Sequence, residues 1–136
     1  MIYVKDKIEN IDIVIKHWYD SSVKDYITMQ NLMSSKDFTW ALFLGHLVLE
    51  KLLKANYVKR KEKHAIFTHD LLRLAQKAGL QFPSEYEEYF DVITTFNLNA
   101  RYDNYKQSFY KICTKEYTEN WIVKIEEIRR WLINQL

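Results

Sequence analysis

Proline occurs once in the 136 residues, cysteine once and glycine twice. Tight turns draw on glycine and proline, and a sheet of several strands needs many such turns. Scarcity of both predicts long helices joined at few corners. The lone Cys113 excludes an internal disulfide and leaves no C-x-x-C pair for zinc, a usage that fits a reducing cytoplasm. Its expected place is among the buried apolar residues. No apolar run is long enough to cross a bilayer, and Met1-Ile2-Tyr3-Val4-Lys5-Asp6 meets charge too early for a signal peptide, so no membrane partner is expected. With only Gly45 and Gly79, no glycine-rich phosphate loop, dinucleotide fingerprint or nucleophile elbow can be written. The four histidines lack H-x-x-x-H and H-E-x-x-H spacing, so neither a metal nor another cofactor is expected. Lys and Arg number 20 against 18 Asp and Glu, a balance that neither requires nor forbids nucleic acid, because clustering decides that question.

What is present is ordinary globular usage, 48% hydrophobic and 28% charged, which excludes disorder. A chain this long supports one core, so residues 1–136 are expected to form a single domain. Apolar positions from Ile11 through Trp18, Tyr26 and Met29 to Met33 recur at three- and four-residue steps and predict a helix from about Asn10 to Met33. Ser34 and Ser35 end it and cap the next. From Asp37 to about Val58 the same period recurs, with Trp40, Leu44, Leu47 and Val48 making the remaining face apolar too. A helix apolar nearly all round is expected at the centre of the fold.

Lys59 to His64 forms a polar corner. Thr68 can then cap a short helix, Asp70 to Ala78, that stops at Gly79. After the corner Phe82-Pro83-Ser84, a capping box of Ser84 and Glu87 opens a helix reaching about Asn99 or Arg101. Arg101 to Cys113 reads as irregular or weakly helical and rich in aromatics. A last helix starts from Thr114 as cap. The fold class is therefore all-α: an up-and-down bundle of four long helices plus one short helix.

At 100° per residue, His46, Glu50, Lys54 and Tyr57 stack along one edge of the central helix, a polar line on a buried element. Glu50 and Lys54 stand at i,i+4 in the favourable order. They form a plain intrahelical pair, or they face a wet pocket where their charges find further partners. Asn97 and Arg101 make a second i,i+4 pair, and Arg101 opens an aromatic stretch with Tyr102 and Tyr105. Arginine beside tyrosine suits phosphate clamping with base stacking; the plainer alternative is an arginine bonding the last carbonyls of its own helix. His69 lies at a helix start next to Asp70, where a carboxylate can fix an imidazole tautomer.

In order and separation, these segments resemble the HEPN family of small helical-bundle domains. The resemblance is carried by Trp18, Ser21 and Asp25; by Ala41-Leu42-Phe43-Leu44-Gly45-His46-Leu47-Val48-Leu49-Glu50-Lys51-Leu52-Leu53-Lys54-Ala55; by Thr68-His69-Asp70-Leu71-Leu72 with Leu74 and Ala75; by Asn97 and Ala100-Arg101-Tyr102-Asp103; and by Ile125, Ile128, Trp131 and Leu132. It implies a nucleotide-binding role, a homodimer with a polar cleft between the second and fourth helices, and a small nucleotidyltransferase partner, often as a toxin and antitoxin pair. Ribonuclease members carry Arg, four to six residues, then His; here no histidine follows Arg101.

The function expected is a nucleotide- or nucleic-acid-binding module with Glu50, Lys54, His69, Asn97, Arg101 and Tyr102 as ligand-binding residues. In that reading Arg101 and Lys54 meet phosphate, Glu50 orients Arg101 or meets a ribose hydroxyl, and Asn97 and Tyr102 touch base or sugar. One alternative is a metal-independent ribonuclease using His69 and Arg101. Another is a structural interaction protein in which Glu50, Lys54 and Arg101 close an interior ion network.

Overall fold

Three side-chain caps set three of the helix starts. Asn10 Oδ1 accepts from the Ile13 amide at 3.2 Å, Asp70 Oδ1 from that of Arg73 at 3.1 Å, and Thr114 Oγ1 from that of Tyr117 at 3.2 Å. The computed structural model describes residues 8–136; the segment 1–6, read above for a leader, lies outside the described residues. Among the described residues the helices are α1 (Ile11–Ser34), α2 (Phe38–Lys61), α3 (Leu71–Lys77), α4 (Tyr86–Arg101), α5 (Asp103–Ile112) and α6 (Lys115–Asn134), with no strand. None of these is long and apolar enough to cross a membrane.

The four long helices, α1, α2, α4 and α6, form the bundle expected, and α3 is the short helix. Corners fall where left-handed backbone is available: Lys36 at φ 63° between α1 and α2, Glu62 at φ 56° ending α2, and Gly79 at φ 75° after α3. Only glycine adopts that last conformation without a steric cost.

Helix α2 is the centre. Thirteen of its 24 residues are buried, and it touches every other helix. Around it pack Met29 of α1, Phe90, Ile93 and Phe96 of α4, and Ile125, Ile128 and Leu132 of α6, all nearly free of solvent contact. At Gly45 the approach is closest, since a Cβ there would stand 2.7 Å from Ile125 Cδ1 and 3.4 Å from Met29 Sδ. Buried Asn56 ties α2 to α6, its Nδ2 donating to the carbonyls of Leu52 at 2.9 Å and Leu132 at 3.2 Å.

Several local expectations differ from the structure, among them two caps: Asp37 rather than Ser34 or Ser35 precedes α2, and Asp70 rather than Thr68 caps α3. The stretch Arg101 to Cys113 is not irregular: Tyr102 alone is extended, at φ −94° and ψ 130°, and its carbonyl accepts from Tyr105 and Lys106 to start α5. Tyr102, Tyr105, Phe109 and Cys113 in fact follow a helical step, but only Phe109 and Cys113 are buried, so the apolar stripe is narrow. No capping box forms at Ser84. The Glu87 amide turns back to the Ser84 carbonyl at 3.2 Å, which leaves that donor unavailable to the hydroxyl. Trp40 is 42% exposed, although Ala41 and Leu42 beside it are fully buried, so the apolar coat of α2 is open on the Trp40 side of its first turn.

Candidate functional site

The polar line on α2 organises a small cluster. His46, Glu50 and Lys54 are 0%, 4% and 8% exposed, and a carboxylate so buried requires partners. Glu50 has two. Its Oε1 accepts from His69 Nδ1 at 2.7 Å and its Oε2 from Lys54 Nζ at 3.1 Å. His69 comes from the loop between α2 and α3, and its own carbonyl accepts from His46 Nε2 at 2.9 Å. One turn of α2 thus holds the loop at two points, the backbone through His46 and the ring through Glu50.

These bonds fix protonation sites. A carbonyl only accepts, so His46 carries its hydrogen on Nε2, while its buried Nδ1 finds no partner among the described residues. Burial pushes the His46 pKa below its ordinary value, against the pull of the His69 carbonyl and Glu50, so the ring stays neutral. Glu50 likewise accepts, so His69 carries a hydrogen on Nδ1. The His69 side chain is 50% exposed, and its Nε2 has no protein partner among the described residues.

Helix α1 closes the other flank. Lys54 Nζ lies 5.1 Å from the centroid of the Trp18 ring, a cation over an aromatic face. One turn away, Asp25 pairs with Lys51 at 2.6 Å. Of these two residues that carried the resemblance, Trp18 touches the α2 cluster directly, while Asp25 ties α1 to α2 beside it.

Arg101 stands apart from Glu50. Its Nε donates to the Asn97 carbonyl at 3.0 Å, and its guanidinium carbon is 5.6 Å from the ring centroids of both Phe43 and Tyr102. Asn97 engages it through the backbone rather than through its side-chain amide. Glu50 does not orient Arg101, since its oxygens are taken by His69 and Lys54. Among the described residues no carboxylate lies within 4.0 Å of Arg101, which is exposed, as is Tyr102. The guanidinium nevertheless lies close enough to lower the His46 pKa, the weakest of the influences on that ring.

Glu50, Lys54 and His69 are thus brought into contact. Arg101, Tyr102 and the Asn97 backbone form a neighbouring group, joined to the first through Phe43, one turn before His46 on α2. Phe43 and His46 were not in the expected ligand-binding set, although their helical spacing to Glu50, seven and four residues, was a usable signal. Among the described residues no group of three or more His, Cys, Asp or Glu side chains is arranged to hold a metal ion. A groove of about 810 Å³ lies toward the start of α2 rather than over Glu50, lined by residues that include Lys36, Trp40, Ala100, Lys106 and Tyr110.

The model of the HEPN domain matches residues 15–136. The crystal structure of TT1696 from Thermus thermophilus is similar in fold, with a TM-score of 0.76 over 90% of this chain and 98% of that chain at 17% identity. No curated protein matches the sequence. With its family model spanning all but the first turns of the bundle, the chain belongs to the HEPN domain family, a family of nucleotide- and RNA-related modules.

Proposed function

We propose that the chain binds a nucleotide or a nucleic-acid end at Arg101, with Tyr102 beside the base or sugar and the His69, Glu50 and Lys54 cluster forming the neighbouring wall. One observation carries this reading: Arg101 is an exposed cation with no carboxylate partner among the described residues, 5.6 Å from the centroids of two aromatic rings. The charges of Glu50 and Lys54 offset each other, which leaves the guanidinium as the charge available to phosphate. An interior ion network of Glu50, Lys54 and Arg101 does not describe this geometry, because Arg101 takes no part in it.

Family membership supports two finer elements of the proposal. The module acts as a homodimer, and it acts beside a small nucleotidyltransferase in a toxin and antitoxin pair. Exposed Leu98 and Tyr105 near the junction of α4 and α5 give a dimer apolar surface to cover.

Calorimetric titration with adenosine monophosphate and with a short RNA tests the site. Arg101→Ala is expected to abolish binding while leaving the melting temperature unchanged, since the side chain is exposed. Undiminished binding by that variant overturns the assignment.

A second reading is favoured by the Glu50 and His69 contact. A buried carboxylate that fixes a half-exposed imidazole leaves the other ring nitrogen able to accept a proton, the arrangement of a general base. His69 Nε2 would take the 2′-hydroxyl proton of RNA; the 2′-oxygen would attack the adjacent phosphorus and expel the 5′-oxygen, which takes a proton from water as it leaves, with Arg101 neutralising the phosphate. Incubation with transfer RNA in chelator, beside His69→Ala, decides it. Cleavage that is absent, or indifferent to His69, removes this reading.

A further inference from the structure

The groove at the start of α2 has a character of its own. One wall is the turn and first residues of α2, Lys36 to Trp40; the other is α5 from Lys106 onward, with Ala100 between them. Three lysines, Lys36, Lys106 and Lys111, line it against one acidic residue, Asp37. Asp37 is itself engaged, its Oδ2 accepting from Ser35 Oγ at 2.6 Å. Among the described residues Lys36 and Lys111 make no ion pair, and Lys106 meets only Asp103, at 3.8 Å and in solvent. The groove therefore carries a net positive charge that the described residues leave unmatched.

Two aromatic rings line the same space with much of their area open, Trp40 at 42% and Tyr110 at 75% exposure. Lys106 Nζ lies 6.0 Å from the Trp40 centroid, which places cation and ring on one surface. Asp37 gives α2 no side-chain cap, so the first-turn amides add to the anion-attracting end of the groove.

We propose that this groove binds a short stretch of single-stranded nucleic acid, its phosphates on Lys36, Lys106 and Lys111 and its bases against Trp40 and Tyr110. Lysines that follow a backbone beside open ring faces are the recognition chemistry of an unpaired strand. An acidic peptide would use the lysines and leave both ring faces idle. A mononucleotide carries one phosphate and one base, against the three lysines and two open rings that line the groove. The strand has a path out of the groove: Trp40 packs edge-on against Phe43 at 5.6 Å, and Arg101 covers Phe43 at the same distance. Continuation of the strand to Arg101 rests on the function proposed above; the groove site rests on its own residues.

The test uses fluorescein-labelled hexauridylate in an anisotropy titration, with adenosine monophosphate titrated separately by calorimetry. The charge-reversed double variant Lys106→Glu with Lys111→Glu should weaken hexauridylate binding by about tenfold or more, as loss of phosphate contacts requires. Trp40→Ala should weaken it too and remove part of the ligand-induced quenching of tryptophan fluorescence. Both variants alter exposed side chains, and matching melting curves confirm that each is folded. Monophosphate binding should stay unchanged in the lysine variant. Hexauridylate binding indifferent to both variants overturns the groove site, as does equal displacement by hexaglutamate, which marks a plain cationic patch. A change of sedimentation without a change of affinity overturns it as well, since it makes the groove a contact between copies. Failure of the Arg101 site reads differently: monophosphate binding ignores Arg101→Ala while hexauridylate still responds to Lys106 and Lys111.

Discussion

His69 donates its Nδ1 hydrogen to Glu50 Oε1 at 2.7 Å, joining a loop to a helix nineteen positions earlier in the chain. Glu50 thereby does two things at once, anchoring that loop and neutralising Lys54 in a site almost closed to water.

Glu50→Gln should therefore destabilise the fold by about 3 kcal/mol, the usual consequence of leaving a buried charge without its partner. Adding Lys54→Met should restore part of the loss, because the stranded ammonium is removed with it. Urea unfolding of both single variants and the double variant measures the coupling. A double variant no more stable than Glu50→Gln alone would show that Lys54 is not the stranded group.

The pH dependence follows from His46. Its pKa in the folded chain lies below the ordinary 6.5, so the unfolded chain takes up the proton first as pH falls. The stability contribution is complete above about pH 6.5 and is lost on acidification toward the folded-state value. Melting temperature should drop between pH 7.5 and pH 5, and His46→Gln, which keeps a donor for the His69 carbonyl but cannot titrate, should flatten that slope. Glu50, His69 and Arg101 remain in both proteins, so the difference between the two slopes belongs to His46. Parallel slopes would refute the assignment.

At Gly45 two effects oppose each other. Alanine would raise helix propensity by about 1 kcal/mol, but its Cβ would fall 2.7 Å from Ile125 Cδ1 in a filled core. Overpacking typically costs about 1–3 kcal/mol, so Gly45→Ala should be destabilising by about 1 kcal/mol. With Ile125→Val the offending methyl is gone, and Gly45→Ala should then be neutral or stabilising. Denaturant midpoints of the two pairs settle the sign.

Cys113 should resist modification while the fold is intact. Burial pushes its thiol up to about 11, against a smaller opposing influence from a hydrogen bond with Thr39. Near pH 8 its reaction with an aromatic disulfide reagent should be about a hundredfold slower than that of a free thiol. Full stoichiometry should return in urea. Rapid labelling of the native protein would contradict the buried placement.

Much of this fold was legible because the scarce turn residues and the three- and four-residue period agree. The caps at Asn10 and Thr114 fell close to where their residue types suggest. The short helix after His69 took Asp70 as its cap, later in the chain than Thr68, whose hydroxyl bonds the Asp70 amide instead. Helix α5 was read only as irregular or weakly helical because its single extended joint at Tyr102 looks, in sequence, like an end rather than a pause. The Glu50 and Lys54 contact was readable from spacing alone, whereas the Glu50 and His69 contact was not. It depends on how the loop folds back, and that return is fixed by His46 holding a backbone carbonyl, which no residue type reveals. Groove residues such as Lys36 and Tyr110 are brought together from two separate segments and carry no local signature.

The junction between α4 and α5 is a splice of one residue, and a splice that short leaves no slack. Each residue added or deleted between Arg101 and Lys106 would swing the outer helix by about 100° about its axis. Lys106, Tyr110 and Lys111 would leave the groove wall together, while the arginine stayed behind. This spot can therefore exchange side chains but not change length.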